Sequence, residues 1–155
     1  RGSRVEHVIG SGVGGGTLQG LADQMIDMQD FDTIAELANQ GDLGMVDLTI
    51  GDITTAEIPG LTSDATASNF GKMEDLASVE DLAAGIINLV FQSVGTASVL
   101  AARLNQLDTI IITGNLSLIP LGKTVLEGFA KLYNLSFVIP DNSEFATAVG
   151  AALIS

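Results

Sequence analysis

The sequence predicts an α/β fold with parallel strand pairing, and three observations carry that reading. The half after residue 78 alternates helix, strand, helix, strand, helix. Its two strand segments, DTIIITGN (108–115) and LSFVIP (135–140), are continuous apolar runs of the kind a parallel sheet buries on both faces. A short β-branched run, VEHVI (5–9), leads through a glycine turn into a further helical pattern. The 155 residues fit a single domain, 1–155, with no internal repeat and no low-complexity linker.

Taken in order, VEHVI reads as a strand, and Leu18, Leu21, Met25 and Met28 then recur at helical spacing. A second helix is expected over Phe31–Asn39, with Asp30 or Asp32 at its start, where a carboxylate suits the helix dipole, and Gly41 just past its end. Residues 44–72 are rich in small polar residues and read as loops with one short strand at most. Ser78 opens SVED, a capping-box pattern, from which a long helix should run from Val79 to about Gln106. Leu82, Ile86, Leu89, Val90, Val94, Ala97, Leu100, Ala101 and Leu104 mark its buried face, and its scarcity of polar residues suggests that more than one face is covered. After the strand at 108–115 come a helix over PLGKTVLEGFAKLY, the strand at 135–140 and a closing helix over SEFATAVGAALIS.

Charge and composition exclude several functions. With 19 acidic against 6 basic residues the formal net charge is -13, so neither nucleic acid nor an anionic membrane surface is an expected partner. A bound anion must be held by backbone amides or through a metal ion. The absence of cysteine removes disulfides, thiolate zinc sites and cysteine nucleophiles. A single histidine, His7, leaves no histidine metal cluster and no ordinary catalytic triad. The most apolar run, IINLVFQSVGTASVLAA, is interrupted by Asn88, Gln92, Ser93 and Thr96. No leader and no membrane span are read, and the expected compartment is the cytoplasm.

Gly10–Gly16 holds five glycines in seven residues, GSGVGGG. Gly10, Gly12 and Gly15 match G-x-G-x-x-G between a predicted strand and a helix, as a dinucleotide fingerprint requires. Asp27 and Asp30, however, fall on the helix or its exit rather than at the tip of a second strand, and no Gly-Lys-Ser/Thr ending follows. What remains is a helix N-terminus with close-approach glycines, which offers free amides and a positive dipole end to an anion. The plain alternative is a turn in which glycines let strand and helix pack closely. ITGN, with Gly114 and Asn115, ends a strand where ligands bind in open α/β sheets, or is simply a turn. SDATASNFG reads as an ordinary surface loop or as one lying against a ligand, and Glu36, Glu74, Glu80 and Glu127 read as solvated helix carboxylates. His7 reads more readily as structural than as catalytic.

GSGVGGGTLQGL, FDTIAELANQGD with VDLTIGDI, IPG with SDATASNFGK, IIITGN and the terminal SEFATAVGAALI together resemble, in order and spacing, the C-terminal half of the type II pantothenate kinases. The resemblance implies the C-terminal lobe of an actin-like ATPase, a ribonuclease H-like core with a mixed sheet flanked by helices. It implies transfer of the ATP γ-phosphate to pantothenate, giving 4'-phosphopantothenate in the first step of coenzyme A biosynthesis, with ATP and Mg2+ required. It places Gly14, Gly15, Gly16, Thr17, Leu18 and Gln19 at the nucleotide phosphates and Phe31 and Asn115 at the nucleotide, Asn115 standing where serine is common. It places His7 at pantothenate, where the family usually carries arginine. The family's general base and remaining phosphate loops fall upstream, so no catalytic residue is expected here and the fragment alone should be inactive. A homodimer through the helix from Val79 is implied as well. Arg1–Ser3 read as the end of an upstream strand or as a cloning scar. Two other readings stay open: a related kinase acting on another small hydroxylated metabolite, and a non-catalytic nucleotide-binding or dimerisation module.

Overall fold

In the computed structural model, which describes residues 5–154, three of the helices begin at side-chain caps that the sequence supplies. The reading of Arg1–Ser3 lies outside the described residues. Helix α1, Gly15–Ile26, emerges from the glycine turn and ends at Asp27 in the left-handed conformation. Asp30 caps α2, Phe31–Ala38, its carboxylate accepting from the Thr33 amide at 2.9 Å and the Thr33 hydroxyl at 2.6 Å. Strand β1, Leu48–Thr49, runs into a one-turn helix α3, Ile50–Ile53, and pairs antiparallel with β2, Thr66–Ser68. Helix α4, Val79–Leu104, starts at the predicted box: the Asp81 amide donates to Ser78 Oγ at 3.2 Å, and the Ser78 amide donates to Asp81 Oδ2 at 2.8 Å. Strand β3, Thr109–Ile111, then α5, Pro120–Tyr133, lead to β4, Ser136–Val138, which pairs parallel with β3 in the register Thr109 to Ser136. Helix α6, Ala146–Ile154, closes the chain.

The fold is therefore mixed α/β, as the alternation predicts, with the parallel pair β3–β4 joined through a helix. In the described residues the sheets stay separate, one parallel and one antiparallel, instead of forming one mixed sheet.

The core is built around α4. Leu18 and Ala22 of α1, Ile34 and Ala38 of α2, Leu126 of α5 and Ile119 before it pack on Ala83, Ala84, Ile86, Ile87, Val90 and Phe91 of α4. The first half of α4 is buried on every side, which accounts for its near-continuous apolar sequence. By length and composition α4 would also suffice to cross a membrane, but here it is the central helix of the core. Two glycines let α4 and α5 approach closely. A Cβ on Gly122 of α5 would collide with the Phe91 ring, and one on Gly95 of α4 would stand 2.9 Å from the Phe129 ring. Each helix thus places a phenylalanine in the other's glycine gap. Tyr133 extends the seam, its ring 5.7 Å from that of Phe129 and 5.1 Å from the Arg103 guanidinium carbon.

Several expectations are corrected. VEHVI is not a strand: Val5 is 97% exposed, Val8 and Ile9 are exposed too, and no described strand pairs with the segment. A β-branched run becomes a strand only when a neighbouring edge takes its amides. Residues 44–72 hold two short strands rather than one at most. Toward the end of α4 the buried face is not the predicted one: Leu100 is 60% and Leu104 78% exposed, while Val99 and Ala102 are the buried residues. The last helix starts at Ala146, after a 3-10 turn over Ser143–Phe145. Gly41 does stand just past the end of α2, as expected. A Cβ there would strike the Glu80 carbonyl, so glycine lets the turn after α2 sit on the start of α4.

That junction is also held by Asp81, whose Oδ1 accepts the Asp42 amide at 2.7 Å. Hydrogen bonds from the Asp42 and Ser78 amides hold its carboxyl below the ordinary aspartate value.

Two stability measurements follow. Gly122→Ala is expected to lower unfolding free energy by about 1–3 kcal/mol through overpacking against Phe91. Gly128→Ala, on the same helix with open space at its Cβ, should instead raise it by about 0.5–1 kcal/mol; urea titrations check both. For Asp81, the lowered folded-state pKa means that its contribution is fully present above the unfolded-state value of about 3.9 and is lost as pH falls through the lower folded-state value. In thermal melts the Tm gap between the unmodified chain and Asp81→Asn should therefore be wide at neutral pH and narrow in strong acid.

Candidate functional site

The glycine turn is held by its own side chains. Thr17 Oγ1 donates to the Gly12 carbonyl at 3.3 Å and accepts the Gly14 amide at 3.3 Å, while the Val13 amide donates to Ser11 Oγ at 3.2 Å. Gly12 takes φ +69°, a left-handed conformation that glycine adopts without strain. The first amides of α1, on Gly15, Gly16 and Thr17, have no acceptor within the helix. Cβ atoms at Gly14 and Gly16 would point into open space, so the backbone there is approachable. Helices α2, α3 and α4 each carry an acidic residue in the first turn, whereas α1, like α5 and α6, carries none. Its positive end is left for a group from outside.

The second predicted segment meets this turn. A Cβ on Gly15 would stand 4.0 Å from Leu116 Cγ, which brings the start of α1 to the 3-10 turn Asn115–Leu118. Gly114, at the entrance of that turn, adopts φ 97° and ψ 171°, a region essentially closed to other residues. Its amide donates to the Ser143 carbonyl at 2.9 Å. Its carbonyl accepts the Ser117 amide at 3.0 Å and the Ser117 hydroxyl at 2.7 Å. Ser117 Oγ and Ser143 Oγ, both buried, are 2.5 Å apart. Asn115 is left exposed beside Gly114.

The other sequence-predicted residues are distributed as follows. Leu18 is fully buried in the core and its amide donates to the Gly14 carbonyl at 3.0 Å, so it anchors α1 rather than facing outward. Gln19 is exposed on the first turn of α1. Phe31 is the first residue of α2, beyond the end of α1, and packs against the core. His7 is exposed, with Nε2 4.0 Å from the Cβ position of Gly10. The structure thus brings Gly15 to Leu116, the residue after Asn115, while Phe31 opens a different helix, α2.

Sequence reasoning missed a buried polar cluster. Asp47 is fully buried and its carboxylate is met by neutral donors: Oδ1 accepts the Phe70 amide at 2.8 Å, and Oδ2 accepts Asn88 Nδ2 at 2.7 Å, Asn69 Nδ2 at 3.2 Å and Thr66 Oγ1 at 3.3 Å. Asn88 Nδ2 also donates to Thr66 Oγ1 at 2.9 Å. The cluster fastens the segment read as SDATASNFG to α4. The one sequence signal was Asn88, a polar break in an apolar helix. Among the described residues no group of three or more histidine, aspartate or glutamate side chains is arranged to hold a metal ion.

Fold and site together define a mixed α/β protein with a glycine-rich helix N-terminus set against a strand-end turn. A family model described as Fumble matches residues 1–119, and the chain belongs to that family. It is 36% identical over 118 residues to pantothenate kinase 1 of Oryza sativa subsp. japonica, covering 72% of this chain and 18% of the relative. It is 26% identical to the type II pantothenate kinase of Staphylococcus haemolyticus, over 99% of this chain and 60% of the relative. A type II pantothenate kinase of Bacillus cereus is 29% identical over 93% of this chain and 54% of its own length. The chain therefore spans little more than half of these bacterial relatives.

Both oxygens of Asp47 accept hydrogen bonds, so Asp47→Asn turns an amide N–H toward existing donors. The substitution is expected to cost about 2 kcal/mol or more of stability, since buried donors lose a charged acceptor. Urea denaturation followed by circular dichroism measures it.

Proposed function

We propose that this chain supplies the nucleotide-binding half of an ATP-dependent pantothenate kinase, as one domain corresponding to the C-terminal lobe of an actin-like ATPase. The observation that carries the reading is the approach of the Gly14–Thr17 turn to the Gly114–Asn115 turn in a chain of the Fumble family. The α1 amides bind and orient the nucleotide phosphates, with Gln19 at their edge, and the Gly114 turn with Asn115 borders the nucleoside. The bare backbone at Gly14 and Gly16 fits a phosphate group, which needs close approach of amides and no side chain in the way. This also answers how so acidic a chain holds a polyanion. Phe31 belongs to the proposal by resemblance alone, since here it packs on the core.

In the reaction the pantothenate hydroxyl oxygen bonds to the γ-phosphorus as the bond to the ADP oxygen breaks, and the hydroxyl proton passes to a base. No residue of this chain is assigned as that base. Magnesium, when bound with the nucleotide, supplies charge neutralisation. Among the described residues no carboxylate cluster is shaped to cage it. His7, in the segment leading to the glycine turn, is the proposed contact to pantothenate, in the cytoplasm.

Two observations favour neighbouring readings. The histidine at position 7, where the resembled kinases carry arginine, leaves room for another small hydroxylated acceptor. The exposed Leu100 and Leu104, one turn apart on α4, support a homodimer through that helix and hence a binding module.

Calorimetry with the β,γ-imido analogue of ATP and magnesium tests the central reading. The unmodified chain should release binding heat, and Gly15→Val, which crowds the turn against Leu116, should abolish it. In an assay of ADP formation with pantothenate, the 155-residue chain should show no turnover by itself; robust turnover would place the base on this chain and contradict the assignment.

A further inference from the structure

The strand-end turn is held by a pair of hydroxyls that no sequence pattern announces. Ser117 is fully buried and Ser143 nearly so, and they come from turns 26 residues apart in sequence. Their protons can be followed. The Gly114 carbonyl has none to give, so the Ser117 hydroxyl must donate its only proton there, at 2.7 Å. Ser143 must then donate to Ser117 Oγ across the 2.5 Å contact. The Gly114 amide closes the ring by donating to the Ser143 carbonyl at 2.9 Å. Gly114 is thus held from both its carbonyl and its amide in a backbone conformation that it would otherwise leave readily.

We propose that Ser117 and Ser143 are positioning residues for nucleotide binding: their hydroxyl relay fixes the Gly114 turn so that Asn115 and Leu116 are held against the start of α1. The inference rests on the nucleotide-site reading above. The relay is directional. Ser117→Ala removes the bond to Gly114 and strands the buried Ser143 hydroxyl, whereas Ser143→Ala leaves the Ser117–Gly114 bond intact. Loss of Ser117 must therefore be the more harmful.

The test measures affinity for the β,γ-imido analogue of ATP with magnesium, together with Tm, for the unmodified chain, Ser117→Ala, Ser143→Ala and the helix-cap variant Ser78→Ala. Ser78 lies at the start of α4 and is no part of the proposed site, so it reports general loss of stability. Ser117→Ala should weaken binding about tenfold, from one broken bond and one orphaned buried donor. Ser143→Ala should weaken it less, and Ser78→Ala should lower Tm while leaving affinity unchanged. If Ser117→Ala does not fold, the comparison of Ser143→Ala with Ser78→Ala carries the test. Unchanged affinity in the folded serine variants, or an equal loss in Ser78→Ala, overturns the positioning role alone. Absence of binding heat from the unmodified chain overturns the nucleotide reading, and this inference with it.

Discussion

Phe91 fills the gap at Gly122, and Phe129 fills the gap at Gly95. This reciprocal seam fixes how close α5 comes to α4 and where along α4 it lies. The consequence reaches the site because α5 begins directly after the turn Asn115–Leu118, with Ile119 buried between them. Helix α1 is placed by the same central helix, through Leu18 and Ala22. The meeting of Gly15 with Leu116 is thus set by two independent dockings onto α4. A shift of either helix would separate the two turns, since close-packed interiors pass displacement on rather than absorb it.

Electrostatics gives the meeting point its character. In a chain of net charge -13, an anion site has to be made from dipoles. Three other helices spend their positive ends on their own carboxylates, through Asp32, Asp52 and the Glu80–Asp81 pair. Helix α1 presents glycines and a threonine whose hydroxyl is turned back to Gly12. Among the described residues the buried polar side chains find hydrogen-bond partners, most fully at Asp47, whose four neutral donors tie the Thr66–Phe70 segment to α4.

The helices were legible wherever cap and periodicity agreed, as at Asp30 and at the Ser78 box. The parallel pairing of β3 with β4 was legible from their apolar runs, but burial on both faces was not borne out: the ladder is short, Ile111 is 63% and Val138 40% exposed, and only Ile110 and Phe137 are partly covered. VEHVI misled because strand formation depends on a partner edge that a local pattern does not contain. The β1–β2 pair was hidden for a related reason: strands of two and three residues carry too little alternation, and Asp47, distant in sequence from Asn88, holds them in place. Leu100 and Leu104 continue a helical stripe, but a stripe says nothing about what covers it. At the site, the glycine turn and Gly114–Asn115 could each be found from residue type. Their approach through Leu116 and the relay from Ser117 to Ser143 could not, because both are products of helix docking.

The most direct test of the account is an amide chemical-shift map of the chain titrated with the β,γ-imido analogue of ATP and magnesium. The account predicts that the amides of Gly14, Gly15, Gly16 and Thr17 and those of Gly114 and Asn115 move together, with one affinity. Shifts confined to one of the two turns, or gathered elsewhere in the chain, would contradict the claim that they form a single site.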